Sequence, residues 1–163
     1  MQSESQFKLG KTSLANLRQV HPTLVRVVSA AIEITTQDFT VFEGARSKAQ
    51  AAANLAKGVS KTTHSLHVLQ PDGFAHAVDL VPWHNDGPRW EWPLIYPVAE
   101  AMIQAAKALD VDLESLRWGG VWDKRLAGLA HLSVDGLKAE VAAYCIRHNG
   151  PDFLDGPHFE LRI

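Results

Sequence analysis

Three short words in the chain carry side chains of the kind that ligate metals: Ser65-x-His67, Ala77-x-Asp79 and, far downstream, Asp155-x-x-His158. A hydrolytic metal takes about three protein ligands of the His, Asp or Glu type and keeps one position open for water, whereas structural sites are closed and rich in cysteine. Cys145 is the one cysteine, so the chain can build neither a cysteine site nor an internal disulfide. That fits synthesis in a reducing compartment. If Ala75 to Val81 is a strand, then Ala75, Ala77 and Asp79 share one face, and the small residues leave room beside the carboxylate. In a strand starting at His158, His158 and Glu160 share one face while Phe159 and Leu161 turn to the core. Asp155 precedes that strand in a Gly-Pro turn, where it would overhang a metal. By spacing alone these residues do not stand apart from ordinary surface histidines and strand-capping aspartates.

The elements that must position them can be read from period and punctuation. Thr12 or Ser13 is expected to cap a short helix through Val20, and His21-Pro22-Thr23 to break it. Thr23 to Ile34 reads as a second helix with Leu24, Val27, Val28 and Ala31 on one face. Asp38 to Phe42 alternates as a strand, ended by Glu43-Gly44. Arg46 to Lys57 is a helix by propensity, with Gly58 as its stop. Ser60 to Gly73 reads as a long loop, Ala75 to Val81 as a strand closed by Pro82, and Trp83 to Trp92 as a polar, aromatic loop. Pro93 opens a helix to about Leu109 with Leu94, Val98, Met102 and Ala105 apolar. A short strand is expected over Leu116 to Trp118, a helix from the Ser133 cap to Arg147 ended by Asn149-Gly150-Pro151, and a last strand over His158 to Ile163. With more helices than strands and no βαβ period, the expected fold is α+β, a small antiparallel sheet with helices packed around it, in a single domain over 1–163.

The bulk composition excludes several classes of function. Of 163 residues 46% are hydrophobic and 21% charged, which suits a globular core. A formal net charge of −2 shows no electrostatic footprint for nucleic acid, so none is expected as a partner. Met1 to Gly10 lacks the apolar run of a secretory signal, and no stretch approaches the roughly 20 residues a membrane span needs. No membrane insertion is expected, and the chain is read as a monomer.

The words around the candidate ligands form an ordered set: Glu43-Gly44-Ala45-Arg46-Ser47, Gln50, Ser65-x-His67, Gly73-x-x-His76-Ala77-Val78-Asp79-Leu80, Trp118-Gly119-Gly120-x-Trp122 and Asp155-Gly156-Pro157-His158-Phe159. This set resembles the D-alanyl-D-alanine metallopeptidase family, and most of all its phage-endolysin branch, the L-alanyl-D-glutamate peptidases. The resemblance runs from about Asp38 to Glu160. Two departures are visible. Val68 to Asp72 lengthen the loop between the first His and the Asp, and an apparent helix, Ser133 to Arg147, separates Trp-Gly-Gly-x-Trp from the last Asp-x-x-His. Both read as insertions, which cost little in closure entropy.

The resemblance implies one catalytic Zn2+ held by His67, Asp79 and His158, with the peptidoglycan stem peptide as substrate. His64 and His76 are the competing ligands. His67 is preferred for its place after Ser65, and His76 is set aside because it points to the opposite strand face from Asp79. Asp155 is implied as the acid/base, and Arg46 as the group that meets the oxyanion or a substrate carboxylate. Ser65 supports the ligand loop or substrate, and Trp118 and Trp122 either wall the cleft or pack in the core. Trp83, Trp90 and Trp92 contact substrate or pack on the domain, Glu160 orients a ligand or ends as an edge carboxylate, and His21, His131 and His148 are structural or exposed. The expected activity is cleavage of the L-Ala–D-Glu bond. A D,D-carboxypeptidase or dipeptidase with the same site, and a non-catalytic wall-binding module, remain open. Without a signal the enzyme is expected in the host cytoplasm until the membrane is opened.

Overall fold

Leu24, Val27, Val28 and Ala31 recur at three- and four-residue spacing, and α2 (Pro22–Ile34) turns all four into the core. The computed structural model describes residues 6–46, 65–149 and 153–163. Before α2 lies a short α1 (Lys11–Asn16). After it come β1 (Phe39–Glu43), β2 (Ala77–His84), β3 (Gly87–Pro88), α3 (Trp92–Ala108), β4 (Leu116–Trp118), α4 (Val134–Arg147) and β5 (His158–Leu161). Every pairing between these strands is antiparallel, in the order β1-β2-β5-β4, with β3 paired to the far end of β2. The α+β expectation, a small antiparallel sheet with helices against it, is what the structure contains.

Helix α3 packs on both α2 and β2, and Val98, Met102 and Ile103 meet Val78, Leu80 and Phe159 in one continuous core. Full burial of a Leu or Phe in such a core stabilises the fold by roughly 1.5–3 kcal/mol relative to exposure. The last strand takes the central place. Because β5 runs between β2 and β4, both of its edges are paired, and its two faces are buried alike, His158 and Glu160 on one and Phe159 and Leu161 on the other. The sequence pattern had assigned only the second pair to the core.

Several boundaries differ from the sequence reading for local reasons. Helix α1 starts after Gly10 and ends at Asn16, without a side-chain cap. Ser13 is instead buried, and its hydroxyl accepts the Val41 N–H at 2.9 Å and meets Thr40 Oγ1 at 3.1 Å, tying α1 to the edge strand. Strand β2 does not stop at Pro82. The Trp83 N–H donates to Asp38 O and the Arg89 N–H to Pro82 O, so pairing passes the proline, and Asn85 and Asp86 turn the chain back at φ 53° and 65°. A two-residue hairpin turn needs such positive φ, which Asn and Asp tolerate. The segment expected as a loop is therefore a hairpin at its start. Helix α4 begins as expected, Ser133 accepting the Gly136 N–H, and β5 ends at Leu161 rather than Ile163. Of the helix expected over 46–57, Arg46 alone is described, in an extended bridge to Val68; the remainder, with Ser47, Gln50, Lys61 and His64, lies outside the described residues, as do Gly150 and Pro151.

Candidate metal centre

Asp79 and His158 face each other across the β2–β5 ladder, so the register alone sets two of the three expected ligands side by side. The third, His67, arrives from the segment before β2. Its neighbours are pinned by backbone bonds, the Arg46 N–H to His67 O at 2.7 Å and the His76 N–H to Leu66 O at 2.7 Å. His67 Nε2 and His158 Nδ1 each lie 3.2 Å from the same oxygen, Oδ1 of Asp79, and the two rings meet edge to face at 5.1 Å. One ligand atom from each of His67, Asp79 and His158 lies within 4.8 Å of the others, a spacing that a metal ion bridges. His67 and His158 are buried, while the Asp79 side chain keeps 18% of its exposure, so the cluster opens to solvent on the carboxylate side.

The outward nitrogens are held too. His67 Nδ1 pairs with Gly44 O at 2.9 Å, and His158 Nε2 with Glu160 Oε1 at 2.8 Å. Such outer partners fix the tautomer and aim the lone pair at the ligand position. Gly44 can serve because it has no side chain: a Cβ there would fall 1.8 Å from Asn16 O at the end of α1. Glu160 is clamped by Arg117 at 2.9 Å and Arg162 at 2.8 Å. Burial opposes its ionisation, yet the bonds from His158 and Arg162 outweigh that and take its pKa down to about 2. For Asp79 burial again works against the charge, but the two histidines prevail and hold its carboxyl well below the usual range. His158 loses solvation and gains two carboxylate partners; the partners win, and its pKa is pushed up to about 9 in the metal-free site.

Asp155 stands beside this cluster. Its N–H donates to Gly119 O and its carbonyl accepts the His158 N–H, so the turn that carries it is fastened to both the Trp-Gly-Gly word and the ligand. A Cβ at Gly119 would lie 2.1 Å from Asp155 O, which makes glycine the residue that lets this approach happen. Asp155 is exposed at the rim, yet the protein around its carboxyl desolvates it, and together with the negative charge of Asp79 this raises its pKa. A carboxyl poised in this way suits proton transfer.

The other expected residues separate into near and far. Arg46 is buried, with Nη2 3.3 Å from Ser65 Oγ and Nε 2.9 Å from Glu43 Oε1, the latter without the alignment of a hydrogen bond. Ser65 Oγ also accepts the His67 N–H at 3.1 Å, so it braces the ligand segment. Trp122 lies against the His158 ring at 5.4 Å, under the Arg117 guanidinium. Trp118 is fully buried, stacked on Phe159, and donates its indole N–H to Gly156 O at 2.6 Å. A side chain with no exposed surface cannot touch substrate, so the cleft-wall reading of Trp118 is corrected to core. Trp92 likewise packs on Trp118 and Tyr96, while Trp90 is exposed against Phe42. His76 joins Asp72 and His21 rather than Asp79.

The Glu160 clamp was only half seen. Glu160 and Arg162 are two apart in the strand expected through Ile163 and so would share a face, a signal present in the sequence, but the pairing of Arg117 with Glu160 comes from the β4–β5 register.

The sequence profile of the family described as Phage L-alanyl-D-glutamate peptidase matches residues 5–136. The chain belongs to this family and is a peptidase. It is 34% identical over 121 residues to the L-alanyl-D-glutamate peptidase of Escherichia phage T5, covering 72% of this chain and 82% of that protein. Its fold matches the crystal structure of the Serratia marcescens L-Ala D-Glu endopeptidase ChiX with a TM-score of 0.66 at 29% identity, over 96% of this chain and 91% of the other.

Proposed function

We propose that the chain is a zinc-dependent endopeptidase that hydrolyses the L-Ala–D-Glu bond of peptidoglycan stem peptides. The observation that carries this reading is the convergence of His67, Asp79 and His158, with Asp155 fastened beside them, in a chain of this family. Two imidazoles and one carboxylate suit Zn2+, with a position left open on the exposed side of Asp79. When bound, the ion supplies Lewis-acid polarisation of the scissile carbonyl and makes water acidic enough to attack near neutral pH.

Asp155 accepts the proton from the attacking water and hands it to the amine of D-Glu as the carbon–nitrogen bond breaks. Its raised pKa serves both halves, since a carboxyl too acidic takes a proton poorly. Arg46 meets the oxyanion that forms on the L-Ala carbonyl. Its buried Nε–H is ion-paired with Glu43 but makes no aligned hydrogen bond among the described residues, which leaves a charged donor for such an oxyanion. Ser65 holds Arg46 and the His67 segment in register, and Trp122 walls the cleft next to His158. The bond lies inside the stem peptide, which calls for a cleft open on both sides of the metal position, and the enzyme is taken to act as a monomer. It reaches the wall from the host cytoplasm once the membrane is opened.

Digestion of purified sacculi, read by mass spectrometry, tests this. New amino groups on D-Glu with glycan strands intact are expected. Release of D-Ala without them would make the enzyme a carboxypeptidase, and new reducing sugar ends would reject a peptidase altogether.

A further inference from the structure

A second group with the same donor set lies on the other side of the segment that leads into β2. One ligand atom from each of His21, Asp72 and His76 lies within 4.8 Å of the others. Asp72 and His76 share one turn while His21 comes from the start of α2, and the backbone is committed to bringing the two segments together. Gln19 adopts φ 62°, a left-handed conformation unusual for a residue with a side chain, and the chain then bonds alongside Ala75. The Ala75 N–H donates to Gln19 O at 2.8 Å and the His21 N–H to Ala75 O at 2.9 Å. His76 is gripped at both ends, its N–H by Leu66 O and its carbonyl by the Leu161 N–H, each at 2.7 Å.

The side chains are aimed as well. Asp72 Oδ1 accepts the Phe74 N–H at 3.0 Å, which leaves Oδ2 toward His76 Nε2 at 2.7 Å. His21 Nδ1 accepts the Thr23 N–H at 3.1 Å, and its ring meets that of His76 edge to face at 5.2 Å. His76 is buried, His21 is half-buried and Asp72 is exposed, and a cavity of about 370 Å³ lined by Gln70, Pro71, Asp72 and His76 opens beside them. An ion therefore has both convergent donors and a path to them.

We propose that His21, Asp72 and His76 form a second, non-catalytic site for a borderline divalent transition ion such as Zn2+. An ion there joins the start of α2 to the turn before β2. It stabilises the fold, because His21 lies far along the chain from the Asp72–His76 turn and the three-donor site does not exist when the chain is unfolded. The site is distinct from the peptidase cluster and has no acid/base carboxyl comparable to Asp155 among the described residues.

The test is a Zn2+ titration of the chelator-stripped full chain, with metal content and thermal unfolding measured together. The unsubstituted chain takes up two ions, the second at least tenfold more weakly. Asp72→Asn keeps an oxygen for the Phe74 N–H but loses the ligand charge. Together with His76→Gln it abolishes the second ion, while the first and the rate on sacculi stay unchanged. In Asp79→Ala, Zn2+ still raises the unfolding midpoint, by about 5–10 °C at a hundredfold excess over Kd, and adding Asp72→Asn and His76→Gln removes that rise. One ion in the unsubstituted chain, or two in the Asp72→Asn/His76→Gln variant, overturns the proposal. A chain that binds two ions in this pattern yet cleaves no stem peptide supports the second site and rejects the peptidase reading instead.

Discussion

The molecule carries the combination His, Asp, His twice, on either side of one strand, and the two settings differ in everything but the donors. At His67, Asp79 and His158 the histidines are buried and each outward nitrogen is held, one by Gly44 O and one by Glu160, which Arg117 and Arg162 clamp in turn. At His21, Asp72 and His76 the carboxylate is exposed: its Oδ1 accepts the Phe74 N–H and its Oδ2 meets His76 Nε2, while His21 Nδ1 accepts the Thr23 N–H. Asp155 overhangs the first cluster alone. Ligand type therefore does not make a catalytic centre. Under the proposed function, orientation by outer partners, partial exclusion of water and a carboxyl with a raised pKa do, and among the described residues the β2–β5 cluster has all three.

Substitutions sharpen this contrast, and the largest effect belongs to the first cluster. Asp79→Ala is expected to remove the strongly bound zinc and bring the rate on sacculi below detection, whereas Asp72→Ala leaves turnover intact; equal losses in the two variants would erase the distinction between the sites. Asp155→Asn should retain both metal and fold and lose roughly 10²–10⁴-fold in rate, the usual worth of a positioned acid/base. Near-normal turnover would return Asp155 to a turn residue. Glu160→Gln, which removes the carboxylate behind His158 and leaves Arg117 and Arg162 without their common partner, is expected to weaken zinc binding or activity by about 10–100-fold. Unchanged zinc affinity and rate in that variant would mean that the clamp only stabilises the sheet.

A smaller effect appears in the dependence of stability on pH once metal is stripped. Asp79 has its pKa lowered on folding, so its contribution is present above its ordinary value of 3.8 and is lost as pH falls toward the folded value. His158 has its pKa raised from 6.5 to about 9, so its contribution is complete below 6.5 and is lost as pH rises through 9. The metal-free chain should be most stable between these limits and lose at most on the order of 3 kcal/mol toward pH 9, because the shift spans two to three pH units. Zinc-loaded protein, whose histidines are already neutral, should not show that alkaline loss. Thermal midpoints followed from about pH 2 to about pH 10 with and without metal check both signs; a profile flat on the alkaline side without metal would mean that the histidine gains nothing from its carboxylates. Asp72, exposed and held down chiefly by the Phe74 N–H, should add only a slight acid limb.

How much of this was readable beforehand depends on the range of the interaction. The face of α2, the Ser133 cap and the strand at Leu116 to Trp118 follow from local period and capping chemistry, and all three stand in the structure. Pro82 misled because a proline ends a strand only where its missing N–H is needed, and the pairing that passes it is made by Asp38 and Arg89 from elsewhere. Ser13 misled in the opposite way: its hydroxyl suits a helix cap, but Val41 and Thr40 claimed it. Trp118 and Trp122 look alike in the sequence, and only the core beneath β4 and β5 separates the fully buried one from the one against His158.

The sequence by itself determined which residues had the chemistry, because ligand type, an acid/base carboxyl and the glycines that permit close approach are properties of single positions and short words. The tertiary structure decided which of them act together. Placing β5 between β2 and β4 set His158 opposite Asp79 and brought Arg117 onto Glu160, and the packing of the start of α2 beside Ala75 put His21 against His76. Strand order and register are settled by how the whole core packs, and a one-residue slip of β5 against β2 would turn His158 to the face away from Asp79.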